Sequence, residues 1–217
     1  VAANLLRRPP PGPTRLVLIE RSNEVARGAA YAERSFPYLL NVPASRMSAS
    51  SAAPKEFLEF AQRRIPKVTG EDFLPRTLYG EYLNEVLLAA QLSAPGNVRL
   101  EIVQGSVVNL RRIERHLPLR VELEDGRRFT ADDVVLALGN PRPASLSVAR
   151  DVLTHPAYVA DPWTVDLKFN RSQTVLLIGT GLTTADIINV AASDPQRTPT
   201  LHALSRHGLV PPRQTPF

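Results

Sequence analysis

Residues Val175 to Asp186 read VLLIGTGLTTAD. A short apolar run, Val175 to Ile178, meets Gly179-Thr180-Gly181 and passes at once through Leu182 into helix-forming sequence. Strand, glycine turn and helix in that order is how a βαβ unit builds a dinucleotide-binding turn. Gly179 permits the tight turn, Gly181 lets backbone N–H groups approach a pyrophosphate with no Cβ in the way, and the helix start beyond supplies favourable partial charge. The third position of the G-x-G-x-x-G pattern is Thr184, so the fingerprint is incomplete. Thr183 to Asp186 also reads as a T-x-x-D capping box, with Thr183 at the N-cap and Asp186 at N3, and the two readings are compatible.

The rest of the chain has to supply what such a turn serves. With 217 residues, 43% of them hydrophobic and 22% charged, it can form one or two globular domains with a substantial core. No run approaches the roughly 18 to 20 uncharged apolar residues of a membrane helix, so no integral membrane segment is expected; a cytoplasmic location is a separate expectation, the true N-terminus not being visible. Cysteine is absent, which excludes disulfides, thiolate metal sites and a redox-active cysteine pair within these residues. The four histidines, His116, His155, His202 and His207, lack metal-ligand spacing, and no metal is expected. The net charge of +5 is spread over scattered pairs, Arg7-Arg8, Arg63-Arg64, Arg111-Arg112 and Arg127-Arg128, instead of one basic stripe with aromatics. Nucleic acid is therefore not an expected partner.

Upstream of the turn, Ala2 to Arg8 reads as the last turns of an amphipathic helix, stopped by Pro9-Pro10-Pro11-Gly12-Pro13. Thr14 to Glu20, TRLVLIE, is an apolar strand closed by an acid. In a dinucleotide-binding unit that acid bonds the ribose hydroxyls, about 20 residues after the first glycine of the loop. Counting back from Glu20 reaches the start of the chain, so the corresponding glycine loop is expected to lie upstream of Val1. An exposed acid at a strand end is the structural alternative.

Gly28 to Ser50, GAAYAERSFPYLLNVPASRMSAS, has neither helix nor strand period and reads as a long ligand-wrapping or lid segment. Pro54 to Arg64 is expected to be a short helix with Phe57, Leu58 and Ala61 inward. Tyr79, Tyr82, Leu83, Val86, Leu87 and Ala90 fall at helical spacing, so Leu78 to Gln91 is a helix that buries one face. Strands are expected at Val98 to Val103, Val107 to Ile113, Leu119 to Leu123 and from Arg128, with Asp125-Gly126 as a hairpin turn. A further apolar strand, Val134 to Ala137, ends at Gly139-Asn140-Pro141, and Arg142 to Arg171 reads as an interdomain connection. After the glycine turn a helix continues to about Ala192, and Thr198 to Ser205 is a strand that ends at Arg206 instead of an acid. Arg206 lies 27 residues after Gly179 (206 minus 179), and an Arg there suits a 2′-phosphate, favouring NADP over NAD.

This order of motifs resembles the FAD-NAD(P)-binding flavoproteins of the two-dinucleotide-binding-domain superfamily, whose other members include flavin monooxygenases and glutathione-reductase-like enzymes. LLNVPASRMSA and GTGLTTAD carry the resemblance most specifically, with RTLYGEYL and DDVVLALGNPRP beside them. It implies an α/β fold: a Rossmann-like FAD-binding domain with an antiparallel β-meander insertion, then the start of a second Rossmann-like NAD(P)-binding domain. The boundaries that follow are 1–145 for an incomplete FAD domain, 146–171 for the connection and 172–217 for a partial NAD(P) domain. Glu20 would bind the adenosine ribose of FAD and Val107 its adenine through the backbone. Asn41, Val42, Arg46 and Met47 would lie along the flavin, and Ala137, Leu138 and Gly139 would match the small-residue strand end that approaches FAD. Gly179, Thr180, Gly181, Leu182 and Thr183 would cradle the NADP(H) pyrophosphate, with Ser205 and Arg206 near the 2′-phosphate. Arg76, Tyr79 and Gly80 match a family motif to which the resemblance assigns no role.

The reading implied is an FAD-dependent oxidoreductase that accepts hydride from NADPH and passes electrons to oxygen or a small organic acceptor. The flavin would do the chemistry, so no catalytic side chain is required. Without a cysteine pair after Glu20 the disulfide-reductase branch is disfavoured. The expected partners are the dinucleotides and an unidentified small molecule. With its first glycine loop missing and its second domain incomplete, the chain is expected to be a fragment cut at both ends, inactive alone and unable to hold FAD tightly. A non-catalytic nucleotide-binding or sensing module is the alternative. An S-adenosylmethionine-dependent methyltransferase accounts poorly for Arg206 and the antiparallel insertion.

Overall fold

A computed structural model describes residues 1–112, 114, 118–139, 143–144 and 151–212. Ile113, His116, Asn140 and Pro141, and 145–150 of the expected connection, lie outside the described residues. The chain divides into two compact units, one of Val1–Ala32 with Leu78–Pro141 and one of Glu33–Thr77 with Arg142–Phe217.

In the first unit, β1 (Thr14–Glu20) and β2 (Val98–Gln104) pair in parallel, in register from Thr14 opposite Val98 to Glu20 opposite Gln104. Asn97 pins the start of this pair. Its carbonyl accepts the Thr14 N–H at 2.8 Å and its side-chain amide donates to the Gly12 carbonyl at 2.8 Å. Helix α1 (Ala2–Arg7) brings the fully buried Leu6 against Leu87 and Ala90 of a later helix and against Leu16, Val98 and Leu100 of the strands. Burying a leucine in this way stabilises by about 1.5–3 kcal/mol.

After the four-residue α2 (Gly28–Tyr31) and a 3₁₀ turn at Ala44–Arg46 come α3 (Glu56–Arg64) and the 17-residue α4 (Arg76–Leu92). The two short turns correct the reading of Gly28 to Ser50 as wholly irregular. The α4 stripe is much as its periodicity predicts: Leu78, Tyr79, Tyr82, Val86, Leu87 and Ala90 are buried, while Leu88 and Leu92 face outward. In α3 the buried set is Phe57, Phe60 and Ala61, with Phe60 in place of Leu58.

Gly80 has a steric explanation. A Cβ at this position would stand 2.5 Å from the Tyr31 carbonyl oxygen, so only glycine lets α4 pass this close to the end of α2. The same approach stacks Tyr31 edge-on against Tyr79 at 4.9 Å, and Tyr79 in turn meets Tyr82 at 5.5 Å.

An antiparallel sheet of β3 (Val107–Arg111), β4 (Leu119–Leu123) and β5 (Arg128–Ala131) completes this unit. Asp125-Gly126 makes the expected turn, with the Asp125 carboxylate accepting the Arg127 N–H at 3.0 Å. Val98–Gln104 belongs to the parallel pair and not to this excursion. The strand expected at Val134 to Ala137 is absent: this run has no ladder partner among the described residues, and Val135 and Leu136 are exposed. A strand needs a neighbour to pair its N–H and C=O groups, and an apolar sequence alone does not provide one.

In the second unit, β6 (Thr174–Ile178) and β7 (Thr200–Leu204) pair in parallel around α5 (Leu182–Ala192). The molecule is thus mixed α/β with small sheets, two of them parallel pairs.

Two consequences can be measured. Gly80→Ala should lower stability by about 1–3 kcal/mol in urea unfolding, because forced displacement of a packed backbone outweighs the roughly 1 kcal/mol that alanine gains in helix propensity. The Tyr79 hydroxyl is pushed up to about 12 by burial first and by Tyr31 and Tyr82 next. Its folded-state value exceeds its unfolded one, so stability falls as pH climbs from 10.0 towards about 12. Ultraviolet titration of the five tyrosines should therefore show Tyr79 ionising late, and Tyr79→Phe should flatten the alkaline loss.

Candidate nucleotide-binding site

Hydrophobic residues of β6 deliver the chain to Gly179, whose N–H donates to the Leu204 carbonyl at the end of β7, 2.7 Å away. Gly179 has φ +112°, a conformation that a side chain strains. Thr180 follows, its hydroxyl bonded to the Leu209 carbonyl. Gly181, extended at φ −79° and ψ −171°, is the N-cap of α5. No side chain caps this helix, and Thr183 is exposed, so the capping box expected of Thr183 and Asp186 is not formed. Asp186 is committed elsewhere, as described below.

The incomplete third glycine also finds an explanation. Thr184 turns its hydroxyl back to the Gly179 carbonyl at 2.8 Å, tying the first turn of α5 to the loop where a glycine would only have allowed close packing. A Cβ built on Gly179 or Gly181 would meet nothing within 4 Å. The two glycines therefore leave the approach to the helix start clear, where the first N–H groups of a helix lack intrahelical partners and favour an anion.

Beside this turn, at the end of β7, the Ser205 hydroxyl oxygen is buried without a hydrogen-bond partner among the described residues. Leaving such a group unmatched costs about 1–3 kcal/mol. Next to it Arg206 is exposed and has no ion-pair partner among the described residues. A backbone cradle at a helix start, an orphaned hydroxyl and an uncommitted guanidinium suit a phosphorylated dinucleotide.

The same unit holds Asn41, Val42, Arg46 and Met47. Asn41 and Arg46 are exposed, Val42 and Met47 half-buried, around the 3₁₀ turn at Ala44–Arg46. That turn is stapled by the Ala44 N–H to the Asp72 carbonyl at 3.0 Å and the Ser45 N–H to the Gly70 carbonyl at 2.9 Å.

The first unit holds Glu20, Val107 and Ala137 to Gly139. Glu20 sits at the carboxyl end of β1, where its Oε1 accepts the Ser22 N–H at 2.8 Å and the Ser22 hydroxyl at 3.1 Å. The second oxygen, Oε2, makes no hydrogen bond among the described residues and is left as an open acceptor. Val107 opens β3 opposite Leu123, at an irregularity in the ladder. Its strand follows Gln104, the residue level with Glu20, so both lie near one end of the parallel pair. Ala137, Leu138 and Gly139 are exposed.

Sequence reasoning left Arg76 without a role, and its surroundings supply one. The side chains of Arg76 and Asp186 are 19% and 16% exposed, and Nη2 of Arg76 lies 3.4 Å from Oδ2 of Asp186. Nε of Arg76 donates to the Leu39 carbonyl at 2.9 Å, and its backbone N–H to the Tyr38 carbonyl at 2.7 Å. Its guanidinium lies 4.7 Å from the ring centre of Trp163, which packs on Tyr38 at 5.0 Å. A signal was present in the sequence: Asp186 is the sole acid of α5. Nearby, Ser35 donates to the Asp166 carboxylate, and both help to line a cleft of about 220 Å³ with Tyr38 and Val190. Among the described residues no group of three or more acids and histidines could hold a metal, and no helix is long and apolar enough to cross a membrane.

The protein is mixed α/β with small sheets, and a glycine turn opens α5. A family model described as FAD-NAD(P)-binding matches residues 1–141. The chain belongs to this FAD-NAD(P)-binding family, and the family's cofactor classes are FAD and NAD(P). No curated protein matches. Among solved structures, a crystal structure of OTEMO in complex with FAD and NADP is similar at a TM-score of 0.49 and 15% identity, covering 89% of this chain and 38% of that one. The chain thus spans well under half the length of that protein.

Burial raises the pKa of Asp186, and Arg76 opposes the rise. Because the folded value lies above the unfolded one, the carboxylate's contribution to stability diminishes as pH rises above the ordinary value of 3.8. Arg76→Gln should raise the Asp186 pKa further and steepen that decline. Carboxyl carbon shifts in a pH titration by NMR would register the change.

Proposed function

We propose that this protein is an FAD-dependent oxidoreductase that draws hydride from NADPH and passes electrons to oxygen or a small organic acceptor. Family membership supports the flavin half of this reading. The observation that carries the NADPH half is the strand end beside the glycine turn, where the buried Ser205 hydroxyl and exposed Arg206 stand at the close of β7. A nicotinamide dinucleotide seated there would lay its pyrophosphate along Gly179, Thr180, Gly181, Leu182 and Thr183. The 2′-phosphate would then meet Ser205 as hydrogen-bond donor and Arg206 as counter-charge.

FAD, when bound, would supply the redox chemistry. The chain's own residues hold and orient. Glu20 would fix the adenosine ribose through Oε2, since Oε1 is already engaged by Ser22. Val107 would present backbone polar groups to the adenine, while Asn41, Val42, Arg46 and Met47 line the flavin, and Ala137, Leu138 and Gly139 offer a small-residue approach. No side-chain acid, base or nucleophile enters the scheme.

In this reading the fold is a Rossmann-like FAD-binding domain over 1–145, with β3 to β5 as its meander insertion. A connection over 146–171 then leads to the start of an NAD(P)-binding domain over 172–217.

A full-length version of the protein, with FAD, should be yellow and should oxidise NADPH in preference to NADH. Arg206→Glu should cut the apparent affinity for NADPH by about ten- to a hundredfold, the range of a charge-assisted hydrogen bond, while leaving NADH oxidation near its starting rate. Full-length, intact protein that stays colourless with added FAD would sink the proposal, and NADPH binding without turnover would instead mark a sensing module.

A further inference from the structure

We propose that Arg76 is a positioning residue for the nucleotide site: it locks the first half of α5, through Asp186, to the Tyr38–Leu39 backbone that leads into Asn41–Met47. This rests on the reading of the α5 start as the NADP(H) pyrophosphate site, and it adds a part that no motif assigns.

The packing of α5 makes the lock necessary. Its buried side chain is Ala191, one residue from the C-terminal end, whereas Leu182, Thr183, Ala185 and Ile188 are exposed. Apolar packing thus fixes the far end of the helix better than the end that would receive phosphate. Within α5 itself, two side chains make polar ties near this end. Thr184 reaches only its own loop, through the Gly179 carbonyl. Of these two, Asp186 reaches a distant segment, through the 3.4 Å contact with Arg76.

Arg76 is suited to transmit position because its planar guanidinium is engaged on several sides. One edge meets Asp186, Nε meets the Leu39 carbonyl at 2.9 Å, and Trp163 lies 4.7 Å from it. The backbone of Arg76 adds the bond to the Tyr38 carbonyl at 2.7 Å. A fork held in fixed directions carries orientation as well as attraction, which a flexible ammonium does not. A shift of α5 on nucleotide binding would therefore move Arg76 against Trp163 and pull on the segment before the flavin-lining residues.

Trp163 is the only tryptophan of the chain, so its emission reports on this contact directly. The test uses the full chain, oxidised NADP as probe, and Arg76→Gln, Asp186→Asn, Arg76→Lys and the Arg76→Gln/Asp186→Asn double variant. In nucleotide-free protein, Asp186→Asn should change Trp163 emission in the same direction as Arg76→Gln, although it is the Arg76 guanidinium that lies over the indole. Calorimetry should show NADP binding weakened about tenfold in each single variant and no further in the double, the non-additivity expected of one coupled pair. Addition of NADP should shift Trp163 emission in the wild type and not in the Gln or Asn variants, with Arg76→Lys recovering part of the affinity but not the full response. Nucleotide-free emission untouched by Asp186→Asn, or additive losses in the double variant, would overturn the positioning role. Folded wild type that fails to bind NADP would instead overturn the nucleotide reading, while the nucleotide-free arm would still decide whether Asp186 and Trp163 are coupled through Arg76.

Discussion

A guanidinium withdrawn from water must find acceptors for its donors, and that constraint organises the second unit. Arg76 retains 19% exposure and Asp186 16%, too little for water to replace a missing partner freely. The arginine therefore draws together a carbonyl at Leu39, a carboxylate on α5 and the face of Trp163. Each of these comes from a different stretch of sequence. Breaking one side leaves a partly buried charge, which costs more than the pair itself contributes. The value of the interaction lies in direction: it dictates where the backbone at 38–39 and the helix at 186 must be.

Much of the architecture was legible because it follows from periodicity. The stripe of α4, the Asp125-Gly126 turn, the strand at 14–20 and the strand, turn and helix around Gly179 all come from local pattern. Less legible were features that depend on partners distant in sequence. Val134 to Ala137 has the composition of a strand but no ladder partner among the described residues. Asp186 has the spacing of a capping residue, yet an arginine 110 positions away claims its carboxylate. Gly80 and Arg76 sat in a motif whose meaning was hidden for the same reason: one answers to the Tyr31 carbonyl and the other to Asp186.

The candidate site divides along the same line. Gly179 could be read from sequence as a conformational necessity, and its positive φ agrees. Thr184 looked like a defect in a fingerprint, but its hydroxyl gives the loop carbonyl a partner, so the departure exchanges close packing for a hydrogen bond. The local engagement of Glu20 with Ser22 was not legible, because a serine two residues on could equally have pointed elsewhere. It holds the carboxylate at the strand end with one oxygen committed, which narrows the directions from which a hydroxyl can approach the other.

The β6–β7 pair has a further consequence, in the behaviour of the protein in concentrated solution. Leu176, Ile178 and Leu204 are 59%, 60% and 60% exposed, and they sit on strands whose outer edges are unpaired among the described residues. Parallel strands are ordinarily covered on both faces. A bare apolar row next to open backbone donors and acceptors is adhesive, both through water exclusion and through edge-to-edge pairing. Colloidal behaviour should therefore follow the state of this surface: whatever shields it, whether more polypeptide, a detergent or a neighbouring molecule, will govern how far the protein can be concentrated before it self-associates.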